Sequence, residues 1–157
     1  MNFNNYTIKS QEVVQKAQEI TQGLGQQQIE VAHVFKAILI VDKNVTPFIL
    51  KKLEIKIPVF SEVIDRTIEG FAKVSGGNLS LSAAANRMFI EANNIAKKMN
   101  DEYVSIEHLL LAIFKSKSNI SQVLKDQGVT EKSLKIAIDE LRKGNRVTSQ
   151  SAEETYN

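Results

Sequence analysis

Apolar residues recur along this chain at steps of three and four, the spacing of one face of an α-helix. Val13, Ala17, Ile20 and Leu24 predict a helix over residues 7–22, with Thr7 as its N-cap and Gly23-Leu24-Gly25 ending it. Val34, Ala37, Ile38 and Val41 predict a second over Val31–Val41. Thr46-Pro47 reads as a capping hydroxyl followed by proline at the first helical position, opening a short helix to about residue 53. Pro58 begins a fourth, with Phe60, Ile64, Ile68 and Phe71 inward.

Ser75-Gly76-Gly77-Asn78 breaks the pattern. Leu81, Ala85, Met88, Ala92, Ile95 and Met99 then define a long helix ending near residue 100. Ser105 caps another that carries Leu109, Ala112 and Ile113. A short helix covers about residues 121–127 and stops at Gly128. Thr130 caps the last, with Leu134, Ala137, Ile138 and Leu141 inward and Gly144 after its end. Residues 145–157 are polar and show no core periodicity. The expected fold is all-α, with eight helices and no strand.

The order of these helices occurs twice. A shift of 75 residues lays Ala17 on Ala92, Ile20 on Ile95, His33 on His108, Ala37 on Ala112, Ile38 on Ile113 and Asn44 on Asn119. A one-residue deletion changes the shift to 74, and Leu50 meets Leu124, Ile64 meets Ile138, Asp65 meets Asp139 and Gly70 meets Gly144. Capping hydroxyls correspond as well, Thr7 with Ser82 and Thr46 with Ser121. Coincidence at core, cap and stop positions in one register marks a duplication. Units of about 70 residues are marginal alone, so the two are expected to pack as one pseudo-twofold body. The groove between them is the expected binding site. The domain is expected over residues 1–145, with repeats at about 6–73 and 80–145, and residues 146–157 as a linker.

Composition removes several function classes. The 157 residues are 43% hydrophobic and 24% charged, enough for a substantial core, and two prolines and seven glycines are too few for a many-turned β-fold. A net charge of +2 gives no field to predict nucleic-acid or membrane binding. With no cysteine there is no disulfide, thiolate nucleophile or thiolate metal ligand. The first residues lack the basic and apolar regions of a signal peptide. The longest apolar run, residues 34–41, is interrupted by Lys36 and is far short of the roughly 20 residues that span a bilayer. A cytoplasmic location is expected.

Candidate chemistry is sparse. His33 and His108 stand at equivalent repeat positions without the i, i+4 partner of a metal site, and read as packed histidines near helix N-termini. Neither Gly23-Leu24-Gly25 nor Gly76-Gly77 leads into Lys-Ser/Thr, so no Walker motif is present. Lys51-Lys52 and Lys97-Lys98 fall in last helical turns, where cations complement the helix dipole. Asp101, Glu102 and Glu107 cluster at the entry to the sixth helix, with Glu107 two residues after the Ser105 cap, where negative charge is favoured.

That segment carries a resemblance. Residues 104–113, Val-Ser-Ile-Glu-His-Leu-Leu-Leu-Ala-Ile, resemble the repeat motif of the Clp amino-terminal domain family. Residues 29–38 are the first copy, with Ala32 where the family commonly has Glu. The opening Tyr6-Thr7-Ile8-Lys9-Ser10-Gln11 is similar to the family's start, and residues 146–156 resemble the linker that leads to the first ATPase module in ClpB-type disaggregases.

The resemblance implies a substrate-recognition domain that binds exposed apolar segments of unfolded or aggregated proteins. It carries no catalytic residue, metal or cofactor of its own. The longer parent is implied to be a homohexameric AAA+ ATPase using ATP and magnesium, whereas this piece alone is expected to be a monomer without nucleic-acid or membrane partners. Family residues linked to function map onto Thr7, Asp101 and Glu107, with Ile95 in an apolar groove of the second repeat where Glu91 and His108 replace leucines of relatives. The alternative implied by ClpC- and ClpA-type relatives is adaptor docking or phosphoarginine binding, with Asp101 and Glu107 pairing a guanidinium.

Overall fold

A computed structural model describes residues 2–74 and 77–156, so Ser75 and Gly76 of the expected break lie outside the described residues. Within them the chain forms α1 (Ile8–Gly23), β1 (Gln28–Ile29), α2 (Val31–Val41), α3 (Val45–Lys52), α4 (Ile57–Glu69), β2 (Ser80–Leu81), α5 (Ala83–Lys98), α6 (Ile106–Lys115), α7 (Asn119–Asp126) and α8 (Glu131–Arg142). The eight helices follow the periodicity. Thr7 and Ser82 cap α1 and α5 alike, each hydroxyl accepting the amide three residues on, from Ser10 at 3.1 Å and Ala85 at 3.0 Å.

At the centre lie α2 and α6, packed against each other. Every residue of α6 from Ile106 to Phe114 is buried, as is most of α2. Helices apolar on all sides belong inside a protein. Around them α1 packs on α2, α5 packs on α6, and α3 of the first repeat packs against α8 of the second.

Two short strand pairings, absent from the sequence expectation, join the repeats. β1 and β2 pair in parallel, Ile29 with Leu81, and an isolated parallel bridge links Tyr6 with Val104. The 75-residue shift carries Ile29 to Val104 and Tyr6 to Leu81, so this is one pairing made twice across the pseudo-twofold. In each copy the residue opening a long helix donates its amide to the other repeat: Thr7 to the Val104 carbonyl and Ser82 to the Ile29 carbonyl, both at 3.0 Å. Each repeat thus holds the first helix of the other. Segments of two residues are too short to show alternation.

Two cap assignments are corrected. Thr46 lies inside α3, where its buried hydroxyl has no partner; the cap is the buried Asp42 carboxylate, which accepts the amides of Asn44 at 3.0 Å, Val45 at 3.1 Å and Thr46 at 2.6 Å. Ser121 likewise does not cap α7: its hydroxyl donates to the Phe114 carbonyl, and Ser118 takes the Ser121 amide at 3.2 Å. Asp42→Ala is therefore expected to cost about 2 kcal/mol in urea unfolding, the upper end for a cap. Thr46→Val, which removes an orphaned hydroxyl at constant shape, should be neutral or stabilising. The reverse order would return the cap to Thr46.

The polar tail is not free of the body. Lys143 (φ 51°) and Gly144 (φ 87°) end α8 and turn the chain back. Val147, Ala152 and Tyr156 are then buried against the core, with a 3-10 turn at Ala152–Thr155.

Candidate functional site

The two histidines anchor equivalent arrangements of opposite electrical character. In the first repeat the Glu30 amide donates to His33 Nδ1 at 2.9 Å. With Nδ1 accepting, Nε2 carries the proton and donates to Gln26 Oε1 at 2.6 Å, and Gln26 Nε2 donates to the Ile68 carbonyl at 2.8 Å. Every member is neutral. Burial, reinforced by the nearby Lys36 charge, lowers the His33 pKa to about 4.

In the second repeat the Ser105 amide donates to His108 Nδ1 at 2.8 Å, and His108 Nε2 donates to Asp101 Oδ2 at 2.6 Å. The 75-residue shift puts Asp101 where Gln26 stands and Glu107 where Ala32 stands; the 74-residue shift puts Arg142 on Ile68. Three coordinated replacements turn a neutral cluster into an ionic one. Arg142 Nη1 donates to Asp101 Oδ2 at 2.9 Å and Nε to Glu107 Oε2 at 2.8 Å. The Val147 amide donates to Asp101 Oδ1 at 2.9 Å. Burial pushes the Asp101 pKa up, but hydrogen bonds from His108, Val147 and Arg142, with the guanidinium charge, hold it below its ordinary value.

The tail completes this network. Glu153, 1% exposed, accepts on Oε2 from the Thr7 hydroxyl at 2.7 Å and the Ile106 amide at 3.1 Å. The Tyr156 hydroxyl donates to Glu107 Oε2 at 3.0 Å. Backbone bonds fasten the strap alongside, from the Ile8 amide to the Gln150 carbonyl and from the Glu102 amide to the Val147 carbonyl, both 2.8 Å. Burial, then the charge of Glu107, raises the Glu153 pKa to about 7 against the pull of its two donors. Burial and Glu107 likewise raise that of Tyr156. Oε1 of both Glu107 and Glu153 is buried without a partner among the described residues.

Of the residues singled out from the sequence, Thr7, Asp101 and Glu107 meet in this one buried cluster. Asp101 and Glu107 already hold a guanidinium, that of Arg142, and neither faces solvent. Ile95 lies outside the cluster, buried on the inner face of α5. One and two turns before it, Glu91 and Met88 line an open cleft of about 520 Å³ between α5 and the C-terminal half of α6. Ala84, Met88 and Ala112 give that cleft apolar lining beside Arg87, Lys115 and Lys117, and Glu91 pairs with Lys115 at 3.3 Å. His108 is not in the cleft; it is part of the ionic cluster.

Arg142, Glu153, Tyr156 and Gln26 were not anticipated. For Arg142 a signal existed, because the 74-residue register lays it on the buried Ile68. A charge at a core position requires partners, and two acidic residues stood in the same repeat.

Ser105 Oγ, His108 and Asp101 also line up as a hydroxyl, imidazole and carboxylate, at 3.0 and 2.6 Å. Ser105 and His108 are fully buried, and the Nδ1 facing the hydroxyl accepts the Ser105 amide. The trio closes a helix start and offers a substrate no approach. Among the described residues no group of His, Asp and Glu is arranged to hold a metal, and no helix is long and apolar enough to cross a membrane.

Comparison with known proteins agrees with this architecture. The family described as the Clp repeat (R) N-terminal domain matches residues 5–127. The chaperone protein ClpB of Bacteroides thetaiotaomicron is 51% identical over 99% of this chain, which spans 18% of that relative's length. The Hsp104 N-terminal domain of Candida albicans superposes with a TM-score of 0.84 at 20% identity, covering 96% of this chain and 99% of that one. A ClpV N-domain solved in complex with a VipB peptide superposes with a TM-score of 0.71 at 12% identity, covering 87% and 86%. With duplicated four-helix units, exchanged strand pairs and this match over most of its length, the chain belongs to the Clp repeat N-terminal domain family.

Proposed function

We propose that this domain recognises exposed apolar segments of unfolded or aggregated proteins for a hexameric ATP-driven disaggregase, with the end of the chain leading toward its first ATPase module. The observation that carries this reading is the cleft between α5 and α6, whose size suits a few side chains of an extended peptide. Its Ala and Met lining offers apolar contact without deep burial, which favours weak, unspecific binding. Six copies on one ring would replace single-site strength by avidity. The peptide bound by the ClpV N-domain supports peptide capture by this fold. Thr7, Asp101 and Glu107 then act by fixing α1 and α6 in place, and Ile95 by seating α5 behind the cleft.

An NMR titration with a permanently unfolded polypeptide should shift Ala84, Met88, Glu91 and Ala112 first. Glu91→Leu, which adds apolar surface at the rim, should tighten the dissociation constant about threefold to tenfold. Shifts scattered over the whole surface, with no response to Glu91→Leu, would remove the cleft from consideration.

A further inference from the structure

At the opposite end of α6 lies a second binding geometry, already filled. The seat is built from the starts of α1 and α6. The Thr7 hydroxyl and the Ile106 amide both donate to a carboxylate, Glu107 accepts from a phenol, and the Ile8 amide donates to a backbone carbonyl. Glu107 is fully buried and its Oε1 is unpartnered among the described residues, so the seat has polar capacity beyond what fills it. The occupant is the tail, through Glu153, Tyr156 and the Gln150 carbonyl.

Three features favour release of this occupant, although its anchors Val147, Ala152, Glu153 and Tyr156 are buried. Glu153 is held through Oε2 alone, and its Oε1 is buried without a partner among the described residues, so the occupant's carboxylate is only half satisfied. Arg146, Thr148, Ser149, Gln150 and Ser151 are exposed, leaving the strap attached at separated points. An open cleft of about 410 Å³ between α3, α8 and the tail runs along Tyr156, lined also by Phe48, Leu141 and Glu154, so solvent reaches the edge of the strap.

We propose that this seat is a peptide-recognition site for a carboxylate followed three residues later by a tyrosine, occupied in cis by the chain's own tail, which leaves as a unit to admit such a segment in trans. The seat shares no lining residue with the α5–α6 cleft. It therefore goes beyond the client-binding reading, and its test uses no unfolded client, so either can fail alone.

The test pairs Glu153→Arg with Tyr156→Ala in the full chain, which removes both side-chain anchors of the tail from the seat and leaves the residues of α1 and α6 unaltered. A labelled peptide of residues 147–157 should bind this variant saturably and the unaltered chain at least about tenfold more weakly, because the resident tail leaves only a small fraction of seats open. The same peptide with both its Glu153 and Tyr156 positions changed to alanine should not bind. In the unaltered chain the Ile8 and Ile106 amides, bonded to the tail, should exchange with solvent through a local opening, well ahead of Leu110 in the core. If the double variant does not melt cooperatively, Tyr156→Ala alone serves in its place. No saturable binding by a folded variant, equal binding of the alanine peptide, or exchange of Ile8 and Ile106 only in step with Leu110 would each overturn the proposal.

Discussion

Arg142→Met should cost about 3–5 kcal/mol of unfolding free energy, a large fraction of the roughly 5–15 kcal/mol that ordinarily holds a domain folded. Arg142 is the only cation hydrogen-bonded to Asp101 and Glu107 among the described residues, and both carboxylates are buried. Removing one member of a buried ion cluster leaves the others charged where water cannot reach them, and this penalty exceeds the net worth of the bonds lost. The first repeat supplies the control. There the same histidine arrangement closes with Gln26, Ala32 and Ile68 at the three equivalent positions.

Copying that set into the second repeat, as Asp101→Gln, Glu107→Ala and Arg142→Ile together, should recover most of the loss and lie within about 1–2 kcal/mol of the unaltered chain. Some deficit is expected because Tyr156 loses its acceptor on Glu107. Urea unfolding of the unaltered, single and triple variants measures this directly. A single variant costing under about 1 kcal/mol, or a triple variant no better than the single, would refute the account of the cluster as an ionic replacement of a neutral core.

The second large effect is a pair of opposed pH dependences. Burial and the charge of Glu107 raise Glu153 from 4.5 to about 7, so the folded chain holds this proton more tightly than the unfolded chain. Its contribution is complete below about pH 4.5 and is lost as the pH rises through about 7. His33 is lowered from 6.5 to about 4, so the unfolded chain protonates first. Its contribution is complete above about pH 6.5 and is lost as the pH falls toward 4. Each shift corresponds to about 3 kcal/mol.

Between pH 4.5 and 6.5 the two nearly offset, and the stability of the unaltered chain should be almost flat. Glu153→Gln should unmask His33, with stability rising by about 3 kcal/mol across that window. His33→Asn should do the reverse and make stability fall with pH. Asp101, whose pKa is depressed, adds a further loss only below its ordinary 3.8, outside this range. Superimposable profiles for Glu153→Gln and the unaltered chain would show that Glu153 is already ionised and at ease in its seat.

Much of the helical scaffold was legible. The eight helices, most of their inward residues, the caps at Thr7 and Ser82 and the duplication rest on patterns that repeat within a few residues or at one fixed shift, whereas Leu24 is exposed past the end of α1 and Leu81 belongs to β2. The cap at Asp42 was not legible, because Thr46-Pro47 satisfies the same local preference four residues further on. The grouping of Thr7, Asp101 and Glu107 came from family likeness, and their burial was not evident from it. The strand pairings and the docked tail left no periodic trace. One pairing involves two residues a side, and the tail is held by single anchors at Val147, Ala152, Glu153 and Tyr156.

The sequence alone determined the helices and the twofold plan, since hydrophobic spacing and capping are local properties that a chain carries before it folds. Only the tertiary structure decided what the charges mean. Residues 7, 101, 107, 142 and 153 are scattered along the chain, and each on its own reads as a cap, a loop acid or a surface ion. Brought together out of water, they must satisfy one another, because a buried charge without a partner costs more than any local preference returns.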